Sequence, residues 1–162
     1  LEYAEAARRI KRRHPGVVSR IVGPFDSNPS AISRNVVEQW HREGVIEYLG
    51  ETRDVRPYIA SCSVYVLPSY REGTPRSVLE AMAMARPIIT TDAPGCRETV
   101  VHGRNGYLVP VKDVDGLTEA MDRFIAAPQL IPDMGRESRK IAIEKYDVRK
   151  VNETILRTMG LA

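Results

Sequence analysis

The chain has 162 residues, 43% of them hydrophobic and 28% charged, with a formal net charge of +3. That length gives one domain with a real core, and the composition excludes a disordered or fibrous chain. The mild positive charge suits anionic ligands or an anionic surface. No apolar run approaches the roughly 20 residues of a membrane span.

Helix and strand signals alternate along the chain. Leu1 to about His14 has helical spacing from its first residue and stops at Pro15-Gly16. Because it starts inside a helix, the chain reads as a piece of a longer protein. Val17–Val22 is a short apolar strand closed by Gly23-Pro24. Pro29-Ser30 opens a second helix that runs through Trp40 to Arg42 and stops at Gly44. Val45–Leu49 reads as a strand, Asp54 as the cap of a short helix reaching Ala60, and Ser63–Leu67 as the next strand. Thr74 reads as an N-cap with Pro75 at the first helical position, where its missing N–H costs nothing. That helix ends before Pro87. Pro87–Thr91 is a buried strand, Cys96–Val101 a short helix, His102–Gly106 a tight turn and Tyr107–Pro110 a last strand. From Asp113 the pattern is helical, in three pieces broken near Pro128, Pro132 and Asp147. Short apolar strands alternating with helices predict an α/β fold, a Rossmann-like parallel sheet flanked by helices on both faces.

One junction concentrates the chemistry. After the strand ending at Leu67, a polar turn carries Glu72 and Gly73, and the next helix carries Arg76, Ser77 and Glu80. In open α/β sheets, ligands bind at the C-terminal ends of strands. Gly73 allows close backbone approach. Free N–H groups over Thr74–Ser77 make an anion site. A carboxylate accepts two hydroxyls at once, which fits a sugar or ribose diol. A structural reading stays open at this point, with Glu72 complementing the helix dipole and Glu80 a solvated helix residue.

The run Pro68-Ser69, Glu72-Gly73, Pro75 and Leu79-Glu80-Ala81-Met82-Ala83, followed by Pro87–Asp92, resembles the signature of the group 1 (GT4) retaining glycosyltransferases of the GT-B fold. The match continues through Pro94–Val100, Asn105-Gly106 and Leu108–Pro110. Upstream, Ile21–Gly23 and Tyr48–Gly50 stand where that family has nucleotide-facing strand ends. The wording Pro94-Gly95-Cys96-Arg97-Glu98 is similar to that of transferases building lipid-linked polysaccharide or O-antigen units.

The resemblance implies the C-terminal half of a GT-B enzyme, truncated before its first strand, with residues 1–162 binding a nucleotide-sugar donor and 147–162 forming a helix toward a missing N-terminal domain. It implies that Glu72 holds hydroxyls of the donor sugar and acts at the catalytic centre, and that Glu80 holds the ribose. Gly73, Thr74, Pro75, Arg76, Ser77, Val78 and Leu79 bring backbone amides to sugar and diphosphate. Glu51, Thr52 and Arg53 lie against the base, and the turn after Gly23 lines the nucleotide cleft. The donor is expected to be a UDP-sugar and the acceptor a lipid-linked saccharide bound by the missing domain. No metal or other cofactor and no nucleic acid are expected. The expected setting is the cytoplasm, at the inner face of the cell membrane. Retention on one sugar face makes catalysis positioning and electrostatic stabilisation of the departing phosphate, and the fragment alone is expected to be inactive. Two departures stand out: Ala85 occupies a position usually glycine in the family, which puts tight closure of the helix in doubt, and His102 one that is often acidic.

Other signals weigh less. Asp113-Val114-Asp115 matches a metal-binding DxD pattern, but Asp113 reads better as an N-cap. His14, His41 and His102 lack ligand spacing, with His41 read as a helix-end cation. Cys62 reads as a small core residue, and neither it nor Cys96 sits in a ligand cluster. The basic run Arg8, Arg9, Lys11, Arg12 and Arg13 suits anionic lipid or simply a helix C-terminus. There is no GxGxxG or GxxxxGK[ST]. The alternatives are a sugar-nucleotide epimerase of the same architecture and a non-catalytic nucleotide-binding module.

Overall fold

A computed structural model describes residues 1–26, 28 and 31–160. The elements are α1 (Glu2–Arg13), β1 (Arg20–Ile21), α2 (Arg34–Arg42), β2 (Glu47–Tyr48), α3 (Arg56–Ser61), β3 (Tyr65–Leu67), α4 (Arg76–Ala83), β4 (Ile88–Thr91), a 3-10 turn (Arg97–Thr99), β5 (Gly106–Val109), α5 (Val114–Ala126), α6 (Leu130–Lys145) and α7 (Val148–Thr158). Every strand pair is parallel. The order is β1-β2 in one sheet and β3-β4-β5 in another.

Side-chain alternation builds the layers of the three-stranded sheet. Ile89, Tyr107 and Val109 face a cluster with Ala6 of α1 and Leu117, Ala120 and Phe124 of α5. Ile88, Tyr65 and Leu67 face the opposite cluster, with Val78, Ala81 and Met82 of α4, Ile59 of α3 and Ala142 of α6. Ile88, Ile89 and Met82 are fully buried, each stabilising the fold by about 1.5–3 kcal/mol.

Helix α1 spans the two sheets. Ala4 and Ala7 pack with Val37, Trp40, Val45 and Ile46 around β1 and β2, while Ala6 joins the core of the larger sheet. Its basic residues lock it in place. Arg8 pairs with Glu5 and Glu43, each at 3.0 Å, and Arg9 with Glu5 and Asp115. Lys11 donates to the Gly44 carbonyl, and Arg13 pairs with Asp122. Four of the five charges offered above as a lipid patch are thus held by intramolecular partners on α1, α5 and the turn after α2.

Several local expectations are corrected. Strand β1 is two residues long, since its register with β2 covers Arg20↔Glu47 and Ile21↔Tyr48, and the Arg20 carbonyl accepts the Tyr3 hydroxyl at 3.3 Å. Helix α2 begins at Arg34 after Ser33, and the proposed start at Pro29-Ser30 lies outside the described residues. Pro132 does not break a helix. It sits in the first turn of α6, where a missing N–H has no intrahelical partner to lose. Cys62 is half-buried at the end of α3, and Cys96 is the buried cysteine. His41 stands in the last turn of α2, where its Nδ1 accepts the Tyr48 N–H at 3.1 Å, as His102 Nδ1 accepts that of Leu108.

Helices α2 and α4 end in the same way. Gly44 N–H reaches the His41 carbonyl and Val45 N–H the Trp40 carbonyl; Ala85 N–H reaches Met82 and Arg86 N–H reaches Ala81. Both are Schellman closures, which need a left-handed residue. Gly44 has φ +65°, and Ala85 adopts φ +57° with a side chain. The closure doubted from the sequence is made.

Candidate functional site

The loop between β3 and α4 is stitched to its neighbours before it reaches the two glutamates. The Thr90 hydroxyl donates to the Leu67 carbonyl at 2.7 Å, and the Thr91 hydroxyl donates to that of Ser69. The Glu72 N–H donates to the Pro94 carbonyl at 3.1 Å. Behind the loop, Gly95 has φ +83°, and a Cβ placed there would lie 1.9 Å from the Gly73 oxygen and 2.2 Å from that of Glu72. Only glycine lets the Pro94-Gly95 turn back so closely against this backbone.

Helix α4 starts one residue later than expected. Pro75 precedes it with an extended ψ of 106°, and its carbonyl accepts from Val78 and Leu79 at 3.0 and 3.2 Å. Thr74 therefore does not cap the helix, and no side chain does. The N-terminal amides of α4 stay open beside exposed Gly73, Thr74 and Arg76. Val78, Ala81 and Met82 drive one face of α4 into the core, leaving Ser77 and Glu80 half-buried on another. Leu79 packs at the core edge.

Tyr65 of β3 packs on the cluster that holds Val78, Ala81 and Met82 of α4. Burial pushes its phenol up; a side-chain hydrogen bond with Ser77 opposes this, and the negative charges of Glu80 and Glu72, like the thiol of Cys62, add to the rise. Ser77 and Glu80 are carried by α4, and Glu72 by the loop before it. The other expected residues gather separately. Gly23 N–H donates to the Gly50 carbonyl at 2.9 Å, and the Tyr48 hydroxyl donates to the Gly23 carbonyl at 2.8 Å. Beyond Gly50, Glu51 and Arg53 are exposed, and the Thr52 hydroxyl is turned inward on Asp54, donating to its carbonyl and accepting from its N–H. Among the described residues no hydrogen bond or ion pair joins this set to the Glu72–Glu80 set.

Asp113 is the N-cap of α5, its carboxylate accepting the Gly116 N–H at 2.9 Å. Asp115 pairs with Arg9 instead of converging with it on a cation. The supports that sequence reasoning missed are Tyr65, Tyr70, Thr91 and Gly95. The two threonines ending a strand were a usable signal, since hydroxyls there can reach the adjacent loop.

The model of a family described as glycosyl transferases group 1 matches residues 2–127. An N,N'-diacetylbacillosaminyl-diphospho-undecaprenol alpha-1,3-N-acetylgalactosaminyltransferase from Campylobacter jejuni is 30% identical over 156 residues, covering 96% of this chain and 39% of that protein. The C-terminal domain of LpcC, a group 1 glycosyl transferase from Francisella tularensis, superposes with a TM-score of 0.77 at 23% identity, over 91% of this chain and 78% of that one. HepE from Anabaena, solved in complex with UDP, gives 0.75 at 19% identity over 99% and 55%. At these identities the structural likeness shows the fold, which is that of the C-terminal half of GT-B glycosyltransferases. The chain spans about 39% of the Campylobacter relative's length. With residues 2–127 matched, the chain belongs to the group 1 glycosyltransferases.

Proposed function

We propose that residues 1–162 form the donor-binding unit of a retaining glycosyltransferase that moves a sugar from a UDP donor to a lipid-linked saccharide acceptor. The observation that carries this reading is the placement of Glu72 and Glu80 on either side of the uncapped start of α4, in a chain of this family. The UDP held by the structurally similar HepE and the diphospho-undecaprenol named for the Campylobacter relative support the donor and acceptor classes. On this reading the work is done at the cytoplasmic face of a membrane.

Each residue then has a task. Glu80 accepts the two ribose hydroxyls, and Glu72 accepts hydroxyls of the sugar and holds its reacting carbon in place. The α4 amides meet the developing charge on the leaving diphosphate. Gly23 and Glu51–Arg53 form the nucleotide side. Helix α7, with Val148, Val151, Ile155 and Leu156 exposed, crosses to the acceptor-binding part of the protein, without which this unit transfers no sugar.

Calorimetry with UDP tests the site. Glu80→Gln should weaken UDP binding by about tenfold or more through loss of charge-assisted bonds. Glu72→Gln should leave UDP binding in place and weaken a UDP-sugar. Absence of UDP binding at millimolar concentration by the folded protein, or unchanged binding when both glutamates are replaced, overturns the proposal.

A further inference from the structure

Tyr70 stands two residues before Glu72, and its side chain is half exposed at 51%. Its hydroxyl nevertheless donates to Glu2 Oε1 at 2.6 Å, a short charge-assisted bond to the first turn of α1. The Lys112 ammonium lies 5.3 Å from the centre of its ring, within cation–π range. Lys112 reaches there from the turn between β5 and α5, with its backbone in the left-handed region at φ +61°. Three segments far apart in sequence therefore meet on one surface tyrosine.

We infer that Tyr70 is a positioning residue for the donor sugar, tethering the Glu72 loop between α1 and the β5–α5 turn on one side and the Pro94-Gly95 turn on the other. The inference rests on the donor-site reading above. Thr91 and Pro94 hold Ser69 and Glu72 from the β4 side, and Glu2 holds Tyr70, between them, from the α1 side. The loop contains Gly73, which has the widest conformational freedom of any residue. Ordering it at the moment of binding would cost entropy that a pre-set tether removes. The first turn of α1 thereby becomes part of the support for a carboxylate that it does not touch.

The test compares wild type with Tyr70→Phe, which keeps the ring over Lys112, and Glu2→Gln, which keeps an acceptor. Two readouts are taken: amide exchange at Glu72 and at Ile89, and calorimetric affinity for UDP, UDP-glucose and UDP-N-acetylgalactosamine. In Tyr70→Phe, Glu72 should exchange about tenfold faster with Ile89 unchanged. UDP affinity should persist while the preference for a UDP-sugar over UDP falls. Glu2→Gln should fall between the two. A Glu72 exchange rate within about twofold of wild type, an equal rise at Ile89, or an unchanged preference for the sugar overturns the inference. Wild type that binds none of the three nucleotides overturns the donor-site reading and the positioning role with it, while the exchange data still report whether the tether exists.

Discussion

The Gly73 carbonyl occupies the space where a side chain at position 95 would begin, 1.9 Å from a Cβ built on Gly95. Glycine at 95 is thus a condition on the shape of the loop that presents Glu72. The left-handed φ of +83° adds a second requirement for glycine.

Gly95→Ala should destabilise the chain by about 2–4 kcal/mol, combining left-handed strain with overpacking against backbone that has no side chain to rotate away. Denaturant unfolding measures the loss. A variant as stable as wild type would show that the loop moves freely, contrary to the stitched geometry.

Ala85→Gly should raise stability by about 0.5–1 kcal/mol, because the left-handed residue of the α4 closure then carries no side chain. Gly44→Ala, at the matching position of α2, should lower it by about 1 kcal/mol. The pair of opposite signs, read from thermal midpoints, tests the closure itself.

Asn105 is fully buried. Its side-chain amide donates to the Thr99 carbonyl at 3.1 Å and accepts the Val101 N–H at 2.8 Å. Asn105→Leu leaves both groups unpaired and should cost about 2–4 kcal/mol. Urea midpoints decide it, and the nearby Ser138→Ala should cost less.

The hydrogen bond from Tyr70 holds the Glu2 carboxyl below the usual carboxylate range, against the opposing effect of burial. A carboxyl lowered in the folded state contributes stability that is fully present above its unfolded value, about 4.3, and is lost as pH falls through the folded value. The gap in thermal midpoint between wild type and Tyr70→Phe should therefore be largest near neutral pH and close below about pH 4. A gap independent of pH contradicts the ionised pair.

The alternation of helices and strands was legible because each period is local: Ile88 and Ile89 face opposite cores, and the apolar run around them announces a buried strand. The Glu72–Glu80 junction was legible for the same reason, since strand end, turn and helix are contiguous. Strand lengths were not, because β1 and β2 end where their mutual register ends, and register is a property of two segments. Nor were the supports. Tyr70 to Glu2 and Gly95 to Gly73 are contacts between distant positions, and nothing in the sequence around Tyr70 marks its hydroxyl as tied.

The seam beneath α1 has a consequence for cooperativity. The β1–β2 pair has two rungs and shares no ladder with β3–β5, so its coupling to the rest of the molecule runs through side chains, with Ala4, Ala7 and the ion pairs of α1 prominent among them. Such a pair is expected to open before the rest of the molecule, which amide exchange at Ile21 and Ile89 would show as faster exchange at Ile21. On the proposed reading, the base is held on one unit and the sugar on the other. A donor bound across both would weld them, so that ligand concentration sets how far the two halves act as one body.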